Sequence, residues 1–505
     1  MTQSAVASDR AVNEERPVIR SVNPADGELI AVFPAMGDVE IEAVVGRARR
    51  AAEWWSGRPD SVRRACLLRW AARLVARTDE LADLVHREQG KPIDEAFLEI
   101  VPALEQIRWA ARNAGRVLNR RRVWAGLTMS NYLAEVDYRP FGVVGVIGPW
   151  NNPVFTPAGS IGYALAAGNT VVFKPSEYTP ATGAFLMQAF ADANPDVPGG
   201  VLSLITGDGT AGAGLIRAHV DKIAFTGSPR TGKAVMRAAA DKLIPVVLEC
   251  GGKDPMIVAD DADVTAAAKI AVWGGMFNSG QTCIGIERVY VTESVRKRFL
   301  DEVRRLLNGV HPGTAYGPMT TPEQVNIVRR HITEAVAAGA EIVVGSPDAA
   351  QTAFIEPVVL ADTPDHCSAI TEETFGPVLT VQTVANIEEA ISRANSLPYA
   401  LGASVFSRRS GRQIAERIRG GMVAVNCGLA FVGIPALPFG GQGESGFGRI
   451  HGDDGLREFA QPHSYVRQIY SVAGMDVATL SPHPRTIRIL KSLMKVRHFR
   501  PPGRR

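Results

Sequence analysis

Between residues 141 and 249 the chain repeats one rhythm, in which a short apolar or β-branched run is followed by an Ala- and Gly-rich stretch of helical character. The runs are Val143–Ile147, Thr170–Phe173, Ser203–Ile205 and Lys222–Phe225. Parallel neighbours cannot be joined by a tight turn, so strands alternating with helices predict a doubly wound parallel sheet with its ligand beyond the carboxyl ends of the strands. A second alternation, from Ala266 to about Ala424, predicts a second α/β domain, and 505 residues are too many for one core.

Upstream, Ile41, Val44, Val45, Ala48, Ala51 and Ala52 recur at helical spacing from Asp38 to Trp55, and a similar run covers Ser61 to Ala76. Both read as scaffold helices, with Trp54 and Trp55 as core residues. Tyr132–Tyr138 alternates polar and apolar side chains, which predicts an antiparallel strand outside the main sheet. An exposed strand edge seeks a partner, so a homodimer or homotetramer is expected.

The five cysteines, at 66, 250, 283, 367 and 427, are odd in number and show no CxxC spacing. That argues against a disulfide framework or a structural metal and for a reducing compartment. Met1–Glu15 has no apolar core and no stretch is long enough to span a bilayer, so a cytoplasmic location is expected. Residues 481–505 carry eight Lys and Arg and no acid, which leaves −5 on the rest of a chain whose total is +3. Nucleic acid is therefore not an expected partner of the main fold. In the tail, Ile487, Leu490 and Met494 share one helical face while Arg488, Lys491 and Lys495 lie on another, a pattern suited to peripheral contact with an anionic membrane.

Cys283 lies in Asn278-Ser279-Gly280-Gln281-Thr282-Cys283-Ile284, among small and polar residues whose backbone N–H groups could hold an anion. Its thiolate could attack a carbonyl carbon. Glu249 ends the apolar run Ile244–Leu248 just before two glycines, at an expected sheet edge where partial desolvation would raise its pKa toward general-base range. Asn151, after the strand that ends at Ile147, offers a neutral amide to an oxyanion. Cys250, next after Glu249, should point away from it into the core.

These three residues, with PWN at 149–151, FKPSE at 173–177, FTGSPRTG at 225–232, LECGGKDP at 248–255, GQTC at 280–283, EETFGPV at 372–378 and PFGGQGESGFGR at 438–449, give a chain that resembles the aldehyde dehydrogenase superfamily over about residues 20 to 470. The resemblance implies a Rossmann-like NAD-binding domain from 19–118 and 141–249, and a catalytic α/β domain from 250–450. It also implies a small β oligomerisation segment from 119–140 and 451–480, flanked by an N-terminal arm (1–18) and a basic tail (481–505). It assigns Cys283 as nucleophile, Glu249 as the base that activates water, and Asn151 as oxyanion donor.

Gly227-Ser228-Pro229-Arg230-Thr231-Gly232 follows a strand and opens a helix, where free N–H groups can meet a pyrophosphate. It lacks the Lys-Ser/Thr ending of an ATPase loop. Glu177, beyond the strand that precedes Lys174, suits the two ribose hydroxyls of NAD and would repel a 2′-phosphate, although NADP is not barred. By the resemblance, Lys174 and Glu177 hold the adenine ribose, Ser228 the pyrophosphate, and Glu373 with Phe375 the nicotinamide end. Ile147, Trp150, Ser176, Gly207, Phe225, Gly227, Gly232 and Gly251 complete the expected cofactor contacts.

The segment after Asn151, residues 152–160, holds no Arg to clamp a second carboxylate, which weighs against succinic semialdehyde or another semialdehyde. Phe155, Phe277, Phe431 and Phe439 fall where the resembled family lines its substrate tunnel, so an apolar or aromatic aldehyde is expected. Three rivals stand beside this reading. A CoA-acylating enzyme would lack the carboxylate at 249, a non-redox thiol hydrolase would have no use for Lys174, Glu177, Glu373 and Phe375, and a structural protein on this fold would have lost Cys283 or Glu249. No metal is expected, because no His lies near these residues in sequence.

Overall fold

The computed structural model describes residues 17–471 and 479–498. All but two residues of the expected N-terminal arm, and Arg500, Arg504 and Arg505 of the tail, lie outside that range. The described residues divide into a larger unit, 17–117 and 140–460, and a smaller one, 118–139, 461–471 and 479–498.

In the larger unit a six-stranded sheet runs in the order Gly446–Phe447, Val246–Cys250, Lys222–Gly227, Val143–Ile147, Thr170–Lys174, Leu202–Leu204. Its last five strands are parallel, as the alternation predicts. Helix Asp38–Ser56 lays Ile41, Val44, Val45 and Ala48 against Val143, Val172 and Ile223, which joins the predicted helical stripe to the predicted strands in one core. Trp55 is fully buried and its Nε1 donates to the Leu165 carbonyl at 3.0 Å. Cys250 belongs to the same core, on the opposite face of its strand from Glu249.

Glu249 is not at a free sheet edge. The short strand Gly446–Phe447 pairs antiparallel with Val246–Cys250, setting Gly446 opposite Glu249. Gly446 has φ +100°, and a Cβ there would run into the Leu248 carbonyl, so only glycine allows this cover.

A seven-stranded sheet forms the second α/β layer, in the order Glu341–Val344, Val358–Ala361, Val378–Val384, Ile286–Thr292, Asp254–Val258, Gly402–Phe406, Met422–Val425. Only its first strand is antiparallel.

Two expected boundaries move. Gly446–Phe447 joins the first sheet instead of the second domain, and residues 451–460 pack with the larger unit instead of the oligomerisation segment. The reason is polar anchoring: Glu458 accepts from Lys222 Nζ at 2.6 Å, and the Phe459 carbonyl accepts from Asn169 Nδ2 at 2.8 Å. The smaller unit holds a three-stranded sheet ordered Ala460–Gln468, Tyr132–Pro140, Arg121–Val123. Helix Pro484–His498 follows. Among the described residues no helix is long and apolar enough to cross a membrane.

Candidate active site

A cavity of about 590 Å³ in the larger unit is lined by the carboxyl ends of strands of the first sheet and by the segments that lead into strands Ile286–Thr292 and Val378–Val384 of the second. The volume lies within the range of small-molecule and cofactor sites. Cys283, Glu249 and Asn151 all line it. So do eleven of the expected cofactor residues: Ile147, Trp150, Lys174, Ser176, Glu177, Phe225, Gly227, Ser228, Gly251, Glu373 and Phe375. Gly207 and Gly232 do not face it. The Gly207 carbonyl instead accepts from Lys174 Nζ at 2.8 Å, and Gly232 lets its helix close on Cys250, where a Cβ would stand 2.7 Å from the sulfur.

The nucleophile is delivered by a turn with three consecutive left-handed residues, Asn278 (φ 55°), Ser279 (φ 59°) and Gly280 (φ 71°). Bulkier residues pay for that conformation, and here side-chain bonds hold it. Asn278 Nδ2 donates to the carbonyls of Asn151 (3.0 Å) and Gln281 (3.1 Å), and Ser279 Oγ donates to the Gly317 carbonyl at 2.7 Å. Asn151 Nδ2 donates to the Gln281 carbonyl at 2.9 Å, which ties the amide to the turn carrying Cys283. Behind it, Lys91 Nζ bonds the Asn151 carbonyl at 2.9 Å and pairs with buried Glu99 at 2.6 Å. Sequence reasoning missed this support, since a Lys–Glu pair eight residues apart looks like a solvated surface pair.

Cys283 is half-buried and lines the cavity. Burial, and then the charges of Glu249, Glu373 and Asp254, push its thiol well above the ordinary value, so the resting group is a thiol and not the expected thiolate. Burial also pushes the Glu249 carboxyl up, to about 7, against the lowering effect of the neighbouring Cys283 thiol. Glu249 Oε1, Thr282 Oγ1 and Asp254 Oδ2 are buried with no hydrogen-bond partner among the described residues. Unpartnered buried polar atoms are rare enough in proteins to mark a place where something else binds or reacts.

At the other group of residues, Lys174 Nζ is buried and donates to the carbonyls of Pro175 (2.7 Å) and Gly207 (2.8 Å), with Glu177 3.7 Å away. Burial lowers the Lys174 pKa, which Glu177 and Asp208 oppose. Ser228 caps helix Pro229–Ala240, its Oγ 3.3 Å from the Thr231 N–H and 3.0 Å from Thr231 Oγ1. Pro229 has no N–H to lose there, and the helix presents its positive end to the cavity. Glu373 accepts from the Gly252 N–H at 3.0 Å, over a bare Gly251 whose Cβ would overlap the carboxylate. Phe375 stands edge-on to Trp150 at 5.5 Å. An anion-ready helix end, a ribose-ready carboxylate and an apolar ring platform in one cavity fit a nicotinamide dinucleotide. Among the described residues no group of three His, Cys, Asp or Glu could hold a metal ion.

The model of the aldehyde dehydrogenase family matches residues 11–465. The chain belongs to the aldehyde dehydrogenase family. It is 37% identical over 454 residues to a 4,4'-diapolycopene aldehyde oxidase of Methylomonas sp, covering 88% of this chain and 85% of that one. It is 34% identical to a glutarate-semialdehyde dehydrogenase of Pseudomonas putida, covering 88% and 93%. Among solved structures, an NADP-dependent enzyme of E. coli superposes with a TM-score of 0.85 at 31% identity, covering 90% and 95%. The protein is thus an enzyme that oxidises aldehydes, in a family that uses NAD or NADP.

The expected substrate phenylalanines are dispersed in this dehydrogenase, and none lines the large cavity. Phe155 and Phe439 both pack on His451, at 5.5 and 5.6 Å. Phe277 lies against Trp273 at 5.2 Å in a separate cavity of about 240 Å³ that includes Glu95 and Lys269. Phe431 is buried beside Gly402, whose Cβ would meet the ring at 3.3 Å. Other cavity residues of the aldehyde dehydrogenase went unread, among them Tyr178, Thr321 and Gln324. Thr321 and Gln324 carry a legible signal, a Thr-x-x-Gln helix start, and the Gln324 N–H does bond Thr321 Oγ1 at 3.3 Å.

Proposed function

We propose that Cys283, Glu249 and Asn151 carry out the aldehyde oxidation. Glu249 accepts the thiol proton as the Cys283 sulfur bonds to the aldehyde carbon. The developing oxyanion is met by the second Asn151 amide hydrogen and the Cys283 backbone N–H, each such donor being worth on the order of 3 kcal/mol. Bound NAD or NADP supplies the acceptor for the hydride that leaves the carbon. Glu249, having released its proton to solvent, then draws a proton from water; the hydroxide oxygen displaces the sulfur from the thioester to leave the carboxylic acid, and the departing sulfur takes the proton from Glu249 to regenerate the free thiol.

The observation that carries this reading is the meeting of Cys283, Asn151 and Glu249, whose buried Oε1 has no hydrogen-bond partner among the described residues, in one cavity. A carboxyl near 7 is protonated about half the time at neutral pH, as a group that must both take and release a proton should be. The test is an NADH-formation screen over aliphatic, aromatic and carboxylated aldehydes. Activity that survives Cys283→Ala with the best substrate refutes the covalent route.

An apolar or aromatic aldehyde is the proposed substrate, supported by the absence of Arg from residues 152–160 and by the Methylomonas relative, which is named for 4,4'-diapolycopene aldehyde. Glu177 in the cavity supports NAD over NADP. Water is preferred to CoA as acyl acceptor because Glu249 is present. A homo-oligomer is supported by the exposed Val466, Ile469 and Tyr470 of the smaller unit, and a cytoplasmic site by five unpaired cysteines. The helix Pro484–His498 exposes Ile487, Met494 and Val496 and carries no acid, which supports peripheral contact with an anionic membrane. Sedimentation with anionic vesicles, comparing the full chain with one ending at Ser481, tests that; equal behaviour removes it.

A further inference from the structure

Thr374, between the two residues read as nicotinamide contacts, is fully buried and uses every polar group it has. Its N–H donates to Glu287 Oε2 at 2.8 Å, and its carbonyl accepts from Gln324 Nε2 at 2.7 Å. Its hydroxyl oxygen accepts from Lys253 Nζ at 2.8 Å and lies 3.0 Å from His331 Nδ1. Glu287, on the Ile286–Thr292 strand, also takes the Phe375 N–H at 3.0 Å and pairs with Lys253. Neither Glu287 nor Lys253 lines the cavity.

The fork has a visible effect on the chain. Phe375 has φ +48°, a conformation that costs a bulky residue on the order of 1–3 kcal/mol unless its surroundings impose it. The carboxylate that binds two successive N–H groups is what imposes it here, and charge-assisted bonds of this kind are the strong ones. The same segment carries Glu373 onto the bare backbone of Gly251 and Gly252.

We propose that Glu287, Lys253 and Thr374 form a positioning latch that holds Glu373 and Phe375 ready for the nicotinamide half of the cofactor, so that buried residues outside the cavity set dinucleotide affinity. This rests on the reading of Glu373 and Phe375 as the nicotinamide contacts. In the latched state the segment is ordered before binding, and affinity is not reduced by the cost of ordering it.

The test uses the full-length enzyme and three variants, Thr374→Val, Thr374→Ser and Glu287→Gln. Dissociation constants for NAD⁺ are read from quenching of tryptophan fluorescence, and hydrolysis of p-nitrophenyl acetate without cofactor reports the Cys283 end. Thr374→Val is expected to weaken NAD⁺ binding by about tenfold or more, Thr374→Ser to stay within about twofold, and ester hydrolysis to be unchanged in both. Glu287→Gln carries the same comparison should valine at 374 not fold. Wild-type affinity in Thr374→Val overturns the latch, as does a loss of affinity and of ester hydrolysis in parallel with a lower melting temperature. A wild-type protein that binds NAD⁺ but oxidises no aldehyde removes the catalytic reading and leaves the latch standing; one that binds no dinucleotide overturns the latch with the cofactor reading.

Discussion

Around Cys283 three buried polar atoms have no partner, while around Thr374 every polar group is paired. Each region holds a buried carboxylate, Glu249 in one and Glu287 in the other, so burial alone does not separate them. The paired region holds a buried Lys–Glu couple and a strained phenylalanine in one arrangement, which is what a satisfied network in a low-dielectric interior can do. In the other, burial acts on groups with nothing to lean on and lifts the carboxyl of Glu249 and the thiol of Cys283. A scaffold and a reactive centre are thus made from similar residues, and they differ in whether hydrogen-bonding capacity is left over.

The sharpest way to break this contrast is Glu249→Gln, which leaves shape and removes the titrating group. Turnover is expected to fall by about 10²–10⁴. The rise of the wild-type rate with pH through about 7, where Glu249 loses its proton, should vanish from the pH profile. Stability should change in a linked way. Folding raises this carboxyl from its ordinary 4.5 to about 7, so the native state holds the extra proton between those values and wild-type stability declines as pH rises across that window, by on the order of 3 kcal/mol. Urea melts at pH 4.5 and pH 8 should show a smaller difference in the variant; an unchanged difference assigns the pH dependence elsewhere.

Next in size is Asn151→Ala, for which kcat is expected to fall by about 10²–10³ with little change in aldehyde KM, because the amide acts on charge that exists only in the transition state. A change confined to KM would make Asn151 a binding residue. Glu177→Ala should improve the use of NADP relative to NAD by about tenfold, read as the ratio of kcat/KM values, since the carboxylate that repels a 2′-phosphate is gone. The smallest effect belongs to Cys250→Ala. Its sulfur lies in the apolar core behind Glu249, where burial raises its pKa to about 12, so a loss of about 1–2 kcal/mol in stability and a kcat within twofold are expected. A large kcat effect would show that the strand as a whole, and not the unpartnered side chain, is tuned.

The parallel strands and their helices were legible because hydrophobic periodicity is a local property, carried by residues such as Val143–Ile147 and Ile41, Val44 and Val45. The cofactor turn at Ser228 was legible for the same reason, since a cap and its helix lie within a few residues of each other. Glu287 was not legible. It sits beside Arg288 in the strand Ile286–Thr292, and nothing nearby announces that it will meet Lys253 and Thr374, which come from separate segments of chain. For the proposed substrate phenylalanines only the tertiary structure gives the neighbours: His451 for Phe155 and Phe439, Trp273 for Phe277 and Gly402 for Phe431.

By itself, then, the order of residues determined that the chain would make two α/β layers and would offer a cysteine, a carboxylate and an amide in three separate motifs. Only the tertiary structure decided that Gly446 would seal the sheet edge beside Glu249, that the thiol would rest protonated against that carboxyl, and that Thr374 would be pinned from all sides. The physical reason is that periodicity and capping act over a few residues, whereas desolvation and pairing depend on which distant segments close over a group once the chain has folded.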